Sequence, residues 1–393
     1  MEEEMEPNKE HIFNRFEDRN NTCIEKNILF NGYSVSLEED FDIIEDTRYV
    51  DDLQGRNFFL EGVVEQLKRL GKKYEVSDTE GILIEVKNRF IDILGIECPK
   101  SVKNWIKTGN VNRTRKYRYN NYDFCLALEM DINTTREFFL KNFLISPFNY
   151  KDSVDAVYFY CMWHKKGIKT IKAMIEEADK FQTLNSDVTQ TEGIGRTIID
   201  IDGDNEFMEY LRTHCYDEKF QFQTARGKII NLIEENKQLA GVSSNNALLD
   251  EIYGYRGQIQ YKDTHKGISK SNLPALFTES FPKHVEISKI VNGTEVTYEV
   301  LRKALVIMEF YNYYRAKENK PVDGDKENLM IMGDLREFYD EVNGSMAECG
   351  FVQLYLRHPF DSLILFCAKS AYPIVTFKNL IDKQYLEMND DLL

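Results

Sequence analysis

The sequence predicts a mainly α-helical protein. Two observations carry that expectation. Only eight prolines interrupt 393 residues, and apolar residues recur mostly three and four positions apart, the spacing that lines one face of a helix. A third observation bounds it: at 42% hydrophobic and 30% charged residues the chain is too apolar to stay unfolded, and its length allows two or three domains, each with a core of its own.

Element by element, residues 1–54 predict an acidic, flexible arm. Positions 1–52 hold sixteen acids and five bases, with scattered hydrophobics (Phe41, Ile43, Ile44) that could form a short docking segment. A bundle is expected over 55–146. From Asn57 to Leu70, the residues Phe59, Val63, Leu67 and Leu70 form one stripe, and Gly71 is a stop. Thr79 to Leu94 follows, with Ile82, Val86, Phe90 and Ile93 on one face and Gly95 behind. Pro99 opens a third, short helix ending near Thr108–Gly109, because a first-turn residue has no intrahelical use for an N–H. Tyr122 to Met130 is a fourth helix. Thr134 with Glu137 fits a capping box for a fifth, which contains Phe138, Phe139, Leu140 and Phe143, and Pro147 closes the unit.

A helical domain is expected over 147–240, its stretches 153–183 and 205–237 separated by the polar run TLNSDVTQTEGIG. A Gly/Ser/Asn-rich connection follows at 241–272. The C-terminal helical domain, 273–393, contains Tyr298–Tyr314, Met330–Val342 and Phe360–Ala371, with a break at Pro373. No repeat of fixed period is present.

Several function classes are disfavoured. No apolar run reaches the roughly 18 residues of a membrane span, and MEEEMEPNKE is neither a secretory signal nor a basic transit peptide. The seven cysteines are odd in number and scattered without a CxxC pair, which predicts reduced thiols in a cytoplasmic protein. Asp200, Asp202 and Asp204 alternate as in a calcium loop, but the glycine stands at 203 rather than 205 and the twelfth position is Leu211, not Glu. Cys161-x-x-His164 and His214-Cys215 lack the spaced partners of a zinc site. EGIGRT lacks the GK[ST] ending of a phosphate loop, and no nucleophile elbow is present. No catalytic activity, metal or cofactor is expected.

The exception to the general acidity is KSVKNWIKTGNVNRTRKYRY, Lys100 to Tyr119. It carries seven Lys or Arg and no acid in a chain whose net charge is −16. In the short helix Val102, Trp105 and Ile106 fall at i, i+3 and i+4 and face the core. Lys100, Ser101, Lys103, Asn104 and Lys107 remain on the other side, where amides and ammoniums suit base edges and phosphates. The loop Asn110–Asn121 adds Arg113, Arg115, Lys116 and Arg118, interleaved with Tyr117 and Tyr119, to grip the backbone beside the groove.

These residues resemble a known family. The run FIDILGIECPKSVKNWIKTG, a polar loop, then YDFCLALEMDINTTREFFL is similar to the lambda-repressor-like (XRE-type) helix-turn-helix domain of bacterial regulators. Leu94-Gly95-Ile96 matches its turn, Ser101–Lys107 its recognition helix with Trp105 as anchor, and Ala127-Leu128 the end of the following helix. The likeness covers roughly 80–145; the turn IECPK and the long loop after Gly109 depart from the family pattern. It implies a helix-turn-helix-like N-terminal bundle followed by a larger all-helical region, with the helix Pro99–Thr108 in the major groove of double-stranded DNA and the remainder sensing, dimerising or binding a partner. A second resemblance, of LPALFTESFPKHVEISKIVNGTEVTYEVLRKALVIMEFYNYY and FYDEVNGSMAECGFVQLYLRHPFDSLILFCAKS to the C-terminal part of uncharacterised regulator-like proteins of Gram-positive bacteria, implies a cytoplasmic bacterial setting and no defined activity. The competing expectation is a non-catalytic interaction or signalling scaffold that keeps the bundle without DNA.

Overall fold

Helix follows helix without an intervening strand through the described chain. The computed structural model describes residues 56–111, 117–181, 191–214, 216, 221–254, 280–318, 335–355, 358–370 and 372–381. The expected arm 1–54, the loop residues Arg113, Arg115 and Lys116, and most of the 241–272 connection lie outside these residues. The mainly α class holds. Contacts divide the described chain into two units, one running from Arg56 to Gln221 and one beginning at Phe222. The expected boundaries after 146 and 240 do not separate cores, because each unit has one continuous apolar cluster drawn from both sides of that position.

The first unit begins with α1 (Phe58–Arg69), α2 (Thr79–Leu94), α3 (Lys100–Thr108) and α4 (Arg118–Ala127). α5 (Ile132–Phe138) continues into a π-helical turn, Phe139–Phe143. Four more helices follow: α6 (Ser153–Trp163), α7 (Ile168–Ala178), α8 (Thr191–Asp200) and α9 (Asp204–His214). α2 packs on α3 and α4, α1 packs on the π turn, and α6 joins α4 and α5 to α7 and α8. Gly62 permits one close approach: a Cβ there would stand 2.3 Å from the Asn142 side chain, whose amide donates to the Phe58 carbonyl at 2.6 Å.

Three local expectations are corrected. α4 starts at Arg118, not Tyr122, because the polar residues that read as loop are buried with partners: Asn120 donates to Ser101 Oγ at 3.0 Å, and Asp123 accepts from the Tyr158 hydroxyl at 2.6 Å. α5 is capped by Asp131, whose carboxylate accepts from Thr134 N–H at 2.6 Å, so Thr134 lies inside the first turn instead of opening the helix. Part of the polar run before residue 200 is helical, since Ile194, Ile198 and Ile199 bury one face of α8.

In the second unit, α10 (Gln223–Ala240), α11 (Asn245–Tyr253) and α12 (His284–Val291) precede α13 (Tyr298–Glu318). α14 (Leu335–Glu348), α15 (Pro359–Lys369) and α16 (Pro373–Ile381) follow. α11 lies in the expected loop region, capped by Ser244 and buried through Leu248, Leu249 and Ile252. α15 ends at Lys369, before the expected Ala371, and Pro373 starts α16, as a first-position proline can. α13 is the axial helix, packed against α10, α12, α14, α15 and α16. It is apolar on nearly every face, from Leu301 to Tyr314, as a helix surrounded by others must be. Of the charged side chains it buries, Arg302 forms a bidentate pair with Asp361 at 2.8 and 2.7 Å and donates to the carbonyls of Val352 and Gln353. No helix among the described residues is long and apolar enough to cross a membrane.

Candidate nucleic-acid interface

The centre of the first unit holds α3 by its apolar side. Val102, Trp105 and Ile106 are buried, and the Trp105 ring meets Phe59 and Phe143 edge-on at 6.3 and 6.1 Å between centroids. Pro99 precedes the helix as its cap residue, and Gly109 ends it in the left-handed conformation (φ 72°) with its N–H on the Trp105 carbonyl at 2.7 Å. Glycine is required there twice over. Its φ is unfavourable for a side chain, and a Cβ would stand 2.1 Å from the Asn57 amide nitrogen. Asn57 in turn caps α1, its side-chain oxygen accepting from Leu60 N–H at 3.1 Å. The end of α3 and the start of α1 are thus fitted to one another.

On the opposite side Lys100, Asn104 and Lys107 are exposed at i, i+4 and i+7, a spacing that puts all three on one helix face. Among the described residues no acid pairs with either lysine. The other expected contacts have different surroundings. Lys103 Nζ lies 2.8 Å from Glu97 Oε1, a carboxylate whose side chain is 86% exposed in the turn before α3. That hydrogen bond raises the Lys103 pKa and lowers the Glu97 pKa. Ser101 Oγ accepts from Asn120 and faces α4.

Arg118 is placed where it cannot serve as a surface cation. Its Nε donates to Asp155 Oδ1 at 2.6 Å and its Nη2 to Asp155 Oδ2 at 2.5 Å and to the Ser146 carbonyl at 2.7 Å. The carboxylate is fully buried and the arginine side chain 19% exposed. Burial pushes the Asp155 carboxyl up against the pull of Arg118, while the backbone N–H of Asn149 supplies a third hydrogen bond at 2.6 Å. The residues that matter here and escaped the sequence reading are therefore acids. Glu97 was legible as the nearest upstream carboxylate to Lys103; Asp155, 37 positions from Arg118, had no local signal.

Among the described residues, the other groups singled out in the sequence have structural surroundings. Asp204 opens α9 and is taken by Lys166 Nζ and the Tyr160 hydroxyl, both at 2.9 Å. Cys161 Sγ lies 3.6 Å from Met174 Sδ in the core, and His164 leans on the Tyr160 ring. Among the described residues no group of His, Cys, Asp or Glu could hold a metal ion. Cys98, Cys125, Cys161, Cys349 and Cys367 are unpaired and buried. A cleft between α1 and the π turn, lined by Glu65, Gln66, Glu137 and Lys141, offers about 20 Å³, enough for one water. Comparison with models of known families, with curated proteins and with solved structures found no match for this chain.

Proposed function

We propose that this chain is a non-enzymatic, cytoplasmic, transcriptional-regulator-like protein that binds double-stranded DNA through the outer face of α3. One observation carries the proposal: a helix fixed to its core by Trp105 while Lys100, Asn104 and Lys107 stand exposed together on the other side. Asn104 has the donor and acceptor pair that reads an adenine edge in the major groove. The lysines supply phosphate contacts at the rim, joined by Arg113, Arg115 and Lys116 of the following loop. Arg118 is not part of this footprint, and Lys103 enters it only by leaving Glu97.

Five cations on phosphates give a slope of log affinity against log salt of about −4.5. A salt titration of the full chain with a mixed-sequence duplex measures it. Lys100→Glu with Lys107→Glu is expected to abolish binding at physiological salt, and Asn104→Ala to lower sequence discrimination while leaving the slope unchanged. Affinity and slope indifferent to the two reversals would sink the docking.

A second reading, a scaffold that binds a protein partner or a second copy, is favoured by one separate feature. α2 exposes Ile84 at 53% and Ile91 at 57%, seven residues apart on one face, and exposed apolar patches mark interaction surfaces. Light scattering of wild type and of Ile84→Ser/Ile91→Ser separates this reading from the first.

A further inference from the structure

We propose that α7 extends the cationic face of α3, so that Lys169 and Lys172 hold the phosphate backbone of the same duplex beside the groove that α3 enters. The inference rests on the DNA-binding proposal above. It adds a second set of contacts, from a helix that lies beyond the stretch resembling a helix-turn-helix domain. Three observations converge on it.

The first is composition. From Ala156 to Ile175 the chain holds twenty residues without an acid, four of them lysines: Lys165, Lys166, Lys169 and Lys172. The structure sorts them as it sorts the basic stretch around α3. Lys166 Nζ is taken by Asp204 at 2.9 Å, whereas Lys169 and Lys172 are exposed, and among the described residues no salt bridge engages either. At i and i+3 they share one face of α7, away from the side that Ile168, Ile171 and Met174 bury.

The second is position. The first turn of α4 stands between the two cationic helices. Asn120 donates to Ser101 Oγ at 3.0 Å, one residue from Lys100. On the other side the Tyr158 hydroxyl lies 3.4 Å from the Tyr119 carbonyl and donates to Asp123 Oδ1 at 2.6 Å. Lys172 is near enough to act on that carboxylate. Burial pushes the Asp123 carboxyl up, and the Tyr158 hydrogen bond and the Lys172 charge pull it back. This turn of α4 is thus bordered by the Lys100 end of α3 and by Lys172 of α7.

The third is what fills the gap. Asn120 to Cys125 are buried, Asp123 among them, and Tyr119 is 45% exposed. A tyrosine hydroxyl is a phosphate donor, so the group between the lysines suits the same ligand. One helix is about 10 Å wide, well inside the roughly 34 Å of a duplex turn, so a single duplex reaches both sets. Two more cations on phosphates steepen the expected slope of log affinity against log salt from about −4.5 to about −6.3.

The test titrates salt with the full chain and a mixed-sequence duplex of about three turns. It compares wild type with Lys169→Gln/Lys172→Gln and with Glu176→Lys, an exposed position one turn beyond Lys172. The double variant is expected to lose about 1.8 of the slope and about tenfold in affinity at low salt. Glu176→Lys is expected to gain about 0.9 of slope and to bind about threefold more tightly, a change that misfolding cannot produce. Lysine acetylation mapped by mass spectrometry should show the duplex shielding Lys169 and Lys172 together with Lys100 and Lys107, and not Lys180 or Lys289. Loss of slope in Lys100→Glu/Lys107→Glu with none in Lys169→Gln/Lys172→Gln overturns the extension and leaves the α3 docking intact. The reverse pattern keeps α7 as a contact and defeats the α3 docking. A wild type that binds no duplex defeats both.

Discussion

Replacing Arg118 by methionine separates its two possible roles. As a backbone-gripping cation it would sit in solvent, and its loss would lower the salt slope of DNA binding by about 0.9 with little effect on folding. The structure instead pairs it bidentately with Asp155, which is fully buried, and with the Ser146 carbonyl. Methionine keeps most of the apolar stem and leaves a buried carboxylate without its counter-charge. Breaking a buried pair from one side costs about 3–5 kcal/mol, and the 19% exposure of the arginine side chain favours the lower end, about 3 kcal/mol. In a unit of this size that lowers the melting temperature by about 6–12 °C.

The loss should also depend on pH. Burial already raises the Asp155 carboxyl, and removing Arg118 raises it further, so the carboxyl takes up a proton more readily in the variant. The destabilisation is therefore greatest at neutral pH and shrinks as the solution is acidified. Arg118→Met/Asp155→Leu is expected to recover part of the loss, since neither half of the pair is then stranded. Circular dichroism melts at pH 7 and pH 5, beside a salt titration with duplex, decide the matter. A variant that melts like wild type but binds with a shallower slope would refute the buried-pair assignment.

Gly109→Ala adds a Cβ where φ is 72° and the Asn57 amide nitrogen stands 2.1 Å away. It should cost about 2–3 kcal/mol, against about 1–2 kcal/mol for Gly71→Ala, where φ is 77° but space is open; urea titrations compare them. In the second unit, burial lowers the His358 pKa from 6.5 to about 4, with Arg302 and Lys303 acting in the same direction and Asp361 against it. The unfolded chain thus takes up a proton near pH 6.5 that the folded one refuses until about 4. Stability falls by about 3 kcal/mol as pH drops through that window, and His358→Asn should remove that part of the slope; parallel profiles for the two proteins would count against it. Finally, Cys125 and Cys367 are fully buried, and burial pushes both thiols up. Mass-mapped alkylation should leave them unmodified in native protein and label them in urea.

The sequence by itself determined the helical class, the span Thr79–Leu94, and α3 with Trp105 inward. Those depend on apolar spacing and on Gly and Pro at helix ends, which act over a few residues and are visible in the chain. It misplaced the start of α4, because Asn120 and Asp123 are polar yet buried, and a period-based reading takes polar for exposed. Tertiary structure decided which polar side chains of the basic stretch face water. Arg118 was removed by a carboxylate 37 positions away, Ser101 by an amide 19 away, and Lys103 by the acid in the preceding turn. Burial of an apolar face is written locally, whereas the partner of a charge is whichever group the packed helices bring within about 3 Å of it.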